Sequence, residues 1–319
     1  MNDKLKKWFD IETRTKYFPH FLACLFFISV IIFSLLIIGM RVLNKKPVPV
    51  EVPNIFAKVD LEAKGAIVWD VVNEKELFSK NPNEPLPLAS LTKVMTAVTT
   101  DGKFNNSEQI KITQADLSPE GDSGLVVGDT WKARDLRDFT LITSSNDGAF
   151  ALASVIGTKI NPPIKVSSST DVQADFIKKM NETASKIGLT NSKFFNEHGL
   201  DIDINKGGAY GSAKDMATLF EYTLKNYPEI LEATRYKNLQ FASGQKTYSA
   251  ENTNILVDKI PNLIASKTGY TLLAGGNLII AFDAGLGRPI IISVLGSTEA
   301  GRFTDVQKLV DASLKYVSQ

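Results

Sequence analysis

The sequence predicts an α/β (α+β) fold: an antiparallel sheet built from both ends of one domain, flanking helices, an inserted helical lobe, and an N-terminal transmembrane helix ahead of it all. Three observations predict it. Strand-like apolar runs lie near the start of the domain, at 66–79, and again after 262. Between them, about 100–260 reads mostly as helix, so a helical lobe is inserted between two sets of strands. Residues 21–40 carry no charge and are mostly Phe, Ile and Leu, and about 20 apolar residues are enough to cross a bilayer.

In chain order, residues 1–20 are a basic tail with Lys4, Lys6, Lys7, Arg14 and Lys16, and 21–41 are a signal-anchor helix. A cleaved signal peptide is the competing reading. Its apolar region usually runs about 7–15 residues and ends at an Ala-x-Ala-like site. The flank here is Gly39-Met40-Arg41-Val42-Leu43. The amino side holds more Lys/Arg than Arg41, Lys45 and Lys46 on the other side, which puts the N-terminus in the cytoplasm and the domain outside, a single-pass cell-membrane protein. Residues 42–55 alternate proline with other residues, an extended, stiff tether. Residues 56–319 form the folded domain.

Within it, 66–71 and 76–79 read as strands with a turn at 73–75, and 81–87 as a proline-rich loop. A helix should run from Ser90 to about Thr100, and others over 134–141 and 149–156. A Pro/Ser-rich loop fills 158–170. Phe176, Met180, Ala184 and Ile187, spaced by three or four, mark an amphipathic helix that ends at Gly188. Another helix covers 213–224. Three consecutive antiparallel strands follow, at 263–271, 277–283 and 289–295, separated by Gly-rich turns, and a helix over 300–317 closes the chain.

Composition removes several function classes. Lys+Arg is 36 against Asp+Glu 35, so no basic field points to nucleic acid. Cys24 is the only cysteine, which leaves no disulfide framework and no cysteine metal site. A zinc hydrolase normally needs two or three histidine ligands, and the chain has only His20, in an apolar segment, and His198. No metal or cofactor is expected.

The chemistry gathers on Ala89-Ser90-Leu91-Thr92-Lys93. Residues three apart share a helix face, so the Lys93 amine can reach the Ser90 hydroxyl. A serine at a helix start also lies beside unpaired N–H groups and the positive end of the dipole, which suits a nucleophile passing through an oxyanion. Alone the pattern is cheap, and Ser90 could be only an N-cap. Ser243-Gly244-Gln245-Lys246 repeats it in a polar stretch with a glycine inside, poor helix material. Two further stretches raise the odds: Ser144-Ser145-Asn146, in a helix–loop region, and Lys267-Thr268-Gly269, on the first late strand. Ser79-Lys80-Asn81 also fits Ser-x-Asn, but at a turn. The ordered triplet, each part in its context, is the set of penicillin-binding proteins and class A β-lactamases.

The chain here resembles the serine D-alanyl-D-alanine carboxypeptidases, low-molecular-mass penicillin-binding proteins with a β-lactamase/transpeptidase-like fold. The resemblance covers roughly residues 60 to 317. Pro87-Leu88-Ala89-Ser90-Leu91-Thr92-Lys93-Val94-Met95-Thr96-Ala97 is similar to the family's nucleophile segment. Val127-Gly128-Asp129-Thr130 and Asn146-Asp147-Gly148-Ala149 are similar to its middle segment. Asn196-Glu197-His198-Gly199-Leu200-Asp201 resembles its Asn-Pro-His-Gly-Leu-Asp loop, with Glu197 in place of proline. Lys267-Thr268-Gly269-Tyr270-Thr271 and Ala274-Gly275 resemble its strand. Many members continue into a β-rich domain and a C-terminal membrane helix, whereas this sequence ends at Gln319 and places its anchor at the amino end.

The resemblance implies an enzyme of peptidoglycan biosynthesis, with the cell-wall stem peptide as substrate and β-lactams as covalent inhibitors. Ser90 would attack the penultimate D-Ala carbonyl, Lys93 would take its proton, and Ser144 would relay a proton to the leaving amine. Asn146 would hold the substrate amide, and Lys267 and Thr268 the terminal carboxylate. Gly269 would let substrate approach the strand edge. The N–H groups of Ser90 and Tyr270 would form the oxyanion hole.

Rivals remain. A D,D-endopeptidase would use the same residues. A class A-like β-lactamase clears its acyl-enzyme with a glutamate, and no Glu-x-x-Leu-Asn lies between Asn146 and Lys267. A catalytically inactive cell-wall binding module would not need every motif residue. Gly121-Asp122-Ser123-Gly124 mimics a trypsin-like nucleophile loop, but that mechanism needs a histidine base, and His198 follows the serine. His198 is read as a turn or packing residue.

Overall fold

The computed structural model describes residues 11–43, 55–105, 107–160, 169–244 and 246–319. Residues 1–10, residues 44–54 of the expected 42–55 tether and the centre of the expected 158–170 loop lie outside the described residues. Contacts divide the chain into two units, Met1–Pro53 and Asn54–Gln319.

The first unit contains helix α1 (Ile11–Leu43), which passes through Pro19. It begins well before the expected start at 21, because an apolar run marks where a helix can meet lipid rather than where its hydrogen bonds begin. Its Phe18–Leu36 stretch is long and apolar enough to cross a membrane.

The second unit opens with strands β1 (Gly65–Asp70), β2 (Lys75–Lys80) and the short β3 (Leu86–Pro87). A 3-10 turn, Ala89–Leu91, leads into α2 (Thr92–Thr100). Then come β4 (Gln109–Lys111), β5 (Thr130–Lys132), α3 (Ala133–Thr143), α4 (Asn146–Ile160) and α5 (Ser169–Ile187). Short strands β6 (Lys193–Phe194) and β7 (Ala209–Gly211) precede α6 (Ala213–Asn226) and the single turn α7 (Pro228–Leu231). The hairpin β8 (Asn238–Ser243) and β9 (Lys246–Glu251) follows, then β10 (Leu263–Thr271), β11 (Gly275–Asp283), β12 (Pro289–Ser297) and α8 (Gly301–Val317).

The main sheet has the order β10-β11-β12-β1-β2, so strands from both ends of the unit form one antiparallel surface. The closing pair is β1 with β12, where Ile67 faces Ser293. Both faces are buried, which is why these strands read as continuous apolar runs. Ile67, Ile279 and Ile291 join a core with Leu91, Met95 and Phe220 on one face. Val68, Ile280 and Ile292 join Val306 and Leu309 of α8 on the other. Period-two alternation sends neighbours to opposite cores. The lobe has its own core around Trp131, Phe139, Phe241 and Tyr248.

The region from 105 to 235 is less uniformly helical than its sequence suggests, since β4 to β7 lie within it. The β8–β9 hairpin was also illegible. Its polar residues alternate with Phe241 and Tyr248, and these bury only because Trp131 lies across from them, with ring centroids at 6.3 and 4.7 Å.

Candidate active site

Ser90 sits in the 3-10 turn, after Ala89 at φ 47° and before the first turn of α2. That left-handed Ala89 is held in place from the floor. Gly199, at φ 85°, lies so close to the Ala89 carbonyl that a side chain there would collide with it. No side chain caps either the 3-10 turn or α2, so Ser90 is not an N-cap. Its Oγ instead accepts from Lys93 Nζ at 2.8 Å.

Lys93 is 1% exposed, and its other two donated bonds run to Asn146 Oδ1 and the His198 carbonyl, both at 2.7 Å. Burial, helped by the Lys267 charge, drives its pKa well below the ordinary lysine range, while Glu197 works the other way. The partners fix which proton can leave. The two carbonyl oxygens can only accept, so they keep their N–H bonds. Asn146 must face this way, because its Nδ2 donates to the Glu120 carbonyl at 2.7 Å. When the amine loses a proton, its lone pair therefore points at the Ser90 hydroxyl.

Ser144 ends α3 in the left-handed conformation, φ 64° and ψ 32°. Ser145 starts α4 by accepting the Gly148 N–H at 2.9 Å, so Ser144 stands at a two-residue corner between helices. The Gly121–Gly124 stretch clamps this corner rather than forming a nucleophile loop. Ser123 Oγ donates to Asp147 Oδ2 at 2.8 Å and accepts from Ser145 Oγ at 2.7 Å.

Strand β10 is an edge of the main sheet. Lys267, 1% exposed, donates to Ser144 Oγ and to the Thr268 carbonyl, both at 2.9 Å. Burial and then the Arg302 charge lower it to about 7. Thr268 Oγ1 lies 2.5 Å from Thr253 Oγ1. Gly269 is packed against the nucleophile turn: a Cβ there would lie 2.9 Å from the Leu88 carbonyl and 3.1 Å from the Ser90 nitrogen. Tyr270, the next residue, is 42% exposed. Arg302, at the start of α8, donates to the Gly269 carbonyl at 2.8 Å and stacks near the Tyr270 ring.

The floor is the 196–201 loop. His198 supplies the Lys93 acceptor through its backbone, while its Nδ1 accepts the Leu200 N–H at 3.1 Å, so it is the turn residue its sequence context suggested. Burial and the Lys93 charge hold its pKa down to about 3, hence neutral. Asp201 accepts from Thr271 Oγ1 at 3.0 Å, tying floor to strand.

All eight expected residues, Ser90, Lys93, Ser144, Asn146, Lys267, Thr268, Gly269 and Tyr270, thus lie on three segments that converge. Asn146, expected to hold the substrate amide, has its own amide engaged with Lys93 and Glu120. The decoys stay apart. Ser243 is in the β8–β9 hairpin and donates to the Thr130 carbonyl, and Ser79 bonds Glu76 at the edge of the sheet. Arg302, Thr253, Glu120 and the Ser123 clamp were missed, since each enters through a contact distant in sequence. Glu197, noted in the sequence in place of proline, also opens the stretch Glu197-His198-Gly199-Leu200-Asp201, which departs from Glu-x-x-Leu-Asn only in its last residue.

The profile of the D-alanyl-D-alanine carboxypeptidase family of peptidases matches residues 52–299. The chain belongs to that family. It is 30% identical to the D-alanyl-D-alanine carboxypeptidase DacF of Bacillus subtilis, over 87% of this chain and 69% of that protein. It is 29% identical to DacC of Escherichia coli, over 80% of this chain and 62% of that protein. The chain therefore spans about two thirds of these relatives' length. Among solved structures it is similar to penicillin-binding protein D2 of Listeria monocytogenes in its ampicillin-bound form, with TM-score 0.66 and 29% identity, over 79% of this chain and 97% of that one. The α+β arrangement described above is shared with that solved structure.

Proposed function

We propose that this member of the family is a serine D-alanyl-D-alanine carboxypeptidase that removes the terminal D-Ala from peptidoglycan stem peptides. The observation that carries the reading is the Lys93 amine, buried and aimed through its three bonds at Ser90 Oγ, the Asn146 amide and the His198 carbonyl. Neutral Lys93 takes the Ser90 proton as Oγ bonds to the penultimate D-Ala carbonyl carbon. The N–H groups of Ser90 and Tyr270 receive the developing oxyanion, which Gly269 allows by its close approach to the turn. The C–N bond to the terminal D-Ala breaks, and its amine takes a proton through Ser144. Water then splits the Ser90 ester. Lys267 and Thr268 meet the terminal carboxylate, Arg302 adds a permanent charge behind them, and Asn146 orients the lysine. The substrate lies along the open edge of β10, as an added strand. Helix α1 and the Lys/Arg excess before it favour a single-pass anchor with the N-terminus in the cytoplasm and the peptidase outside.

A β-lactam tests this. Its ring amide acylates a serine without releasing a leaving group that diffuses away, and the tethered remnant obstructs water. Penicillin mixed with the full chain in detergent should add its whole mass, mapped to Ser90. Ser90→Ala should abolish the adduct, and Ser243→Ala should keep it. A D-Ala-D-Ala peptide should yield free D-Ala. Rapid penicillin loss without adduct would favour a class A-like β-lactamase, an inert protein a binding module, and cleavage of crosslinked peptides alone a D,D-endopeptidase.

A further inference from the structure

Glu197 stands where the resembled loop has proline, and it buries a carboxyl group, 3% exposed, one residue before the carbonyl that accepts from the reactive lysine. The loop is fastened to α2 at two points. The Glu197 carbonyl accepts from Thr96 Oγ1 at 2.5 Å, and the next carbonyl, of His198, accepts from Lys93 Nζ at 2.7 Å. Thr96 and Lys93 are one helical turn apart, so the carboxyl is carried by the same backbone that grips the lysine.

We propose that Glu197 is a positioning residue for the lysine base: its buried carboxyl, set in the loop whose carbonyls hold Thr96 and Lys93, decides at what pH Lys93 gives up its proton. The inference rests on the reading of Lys93 as the base.

The charged groups around it are few. Lys93 faces it from α2. The His198 imidazole lies with Nε2 3.7 Å from the Glu197 carboxylate and is held neutral, so that contact is dipolar rather than an ion pair. Lys178 and Glu182 of α5 and Lys193 of β6 share with Glu197 a cavity of about 990 Å³. Lys267 faces Lys93 from β10, with Arg302 behind it. Burial and Lys267 disfavour the Lys93 ammonium, and a Glu197 carboxylate favours it. Burial also lifts Glu197 itself to about 7. As pH falls, the carboxyl takes up a proton and withdraws its support for the ammonium. The acid limb of the reaction is thereby broad.

The test is the pH dependence of the second-order rate of acylation by penicillin, with the full chain in detergent. Glu197→Gln removes the charge at constant size, and Glu197→Pro installs the residue of the resembled loop. With the anion gone, the acid limb should sharpen and its midpoint should fall by about half a unit or more. On that limb the variants should then acylate about threefold faster than the unsubstituted protein. A structural defect would slow the reaction at every pH. A midpoint that stays or rises, a uniform loss, or an effect confined to hydrolysis of the adduct overturns the inference. Lys93→Ala separates the two failures. If it acylates normally, the base reading falls. If it is inactive while the Glu197 variants leave the limb unmoved, only the role of Glu197 falls.

Discussion

The proposed mechanism asks Lys267 to bind an anion from a place that disfavours its own charge. Burial and Arg302 bring it to about 7, so the free enzyme holds the cation below that pH and loses it above. Lys93 has the opposite requirement, because it acts when neutral, and rising pH helps it. Together they predict a bell-shaped kcat/KM for a peptide with a free carboxylate, the acid limb from the lysine base and the alkaline limb near 7 from Lys267. A C-terminally amidated peptide should lack the alkaline limb. Lys267→Ala removes a charge-assisted bond worth roughly 1.5–3 kcal/mol, so efficiency on the carboxylate peptide should fall about ten- to a hundredfold or more, and far less on the amide. Equal losses on both would refute the role. Ser90, Lys93 and Lys267 were legible because their chemistry needs fixed residue types at fixed spacing. Arg302 and Thr253 were not, because nothing local marks a residue whose partner lies more than ten positions away. Asn146 was legible as a site residue but not in its partners, which come from α2 and the 118–124 stretch.

Strand β10 and the 3-10 turn form the element pair on which the site depends. Gly269 brings the strand backbone onto Ser90, and there is no room for a methyl group beside the Leu88 carbonyl and the Ser90 nitrogen. Gly269→Ala should therefore push the strand from the turn, with an overpacking cost of about 1–3 kcal/mol. Acylation by penicillin should fall more than stability does, because the displaced groups are the proposed oxyanion donors. Thermal melts and labelling rates on one preparation compare the two, and an unchanged labelling rate would contradict the packing argument. The helices α5, α6 and α8 and strands β10 to β12 follow from periodicity and Gly punctuation close to their ends. The turn at Ser90 does not. The sequence predicts a helix from Ser90 itself, but Ala89 is left-handed, its carbonyl packed against Gly199, and the α-helix proper starts at Thr92. That displacement keeps the Ser90 hydroxyl out of capping and turned to the lysine.

At the scale of the molecule, residues 54–319 close on themselves. The β1–β12 pairing joins the two ends of the unit, α8 covers one sheet face, and α6 and α2 cover the other. Each residue of the proposed site lies inside this unit, and Met1–Pro53 forms the other. The chemistry should therefore survive removal of the first unit, while attachment should not. The full chain should sediment with membranes and need detergent for release, since Phe18–Leu36 is apolar across the width of a bilayer. A chain starting at Asn54 should stay in the soluble fraction, melt in one transition, and take up penicillin at Ser90 at the same second-order rate. A rate that depends on residues 1–53 would mean that the anchor takes part in the site. Topology follows from the same protein in spheroplasts: external protease should remove the peptidase unit and spare the amino end. Protection of that unit until lysis would reverse the orientation, and an intact mass lacking the apolar segment would make it a cleaved signal rather than an anchor.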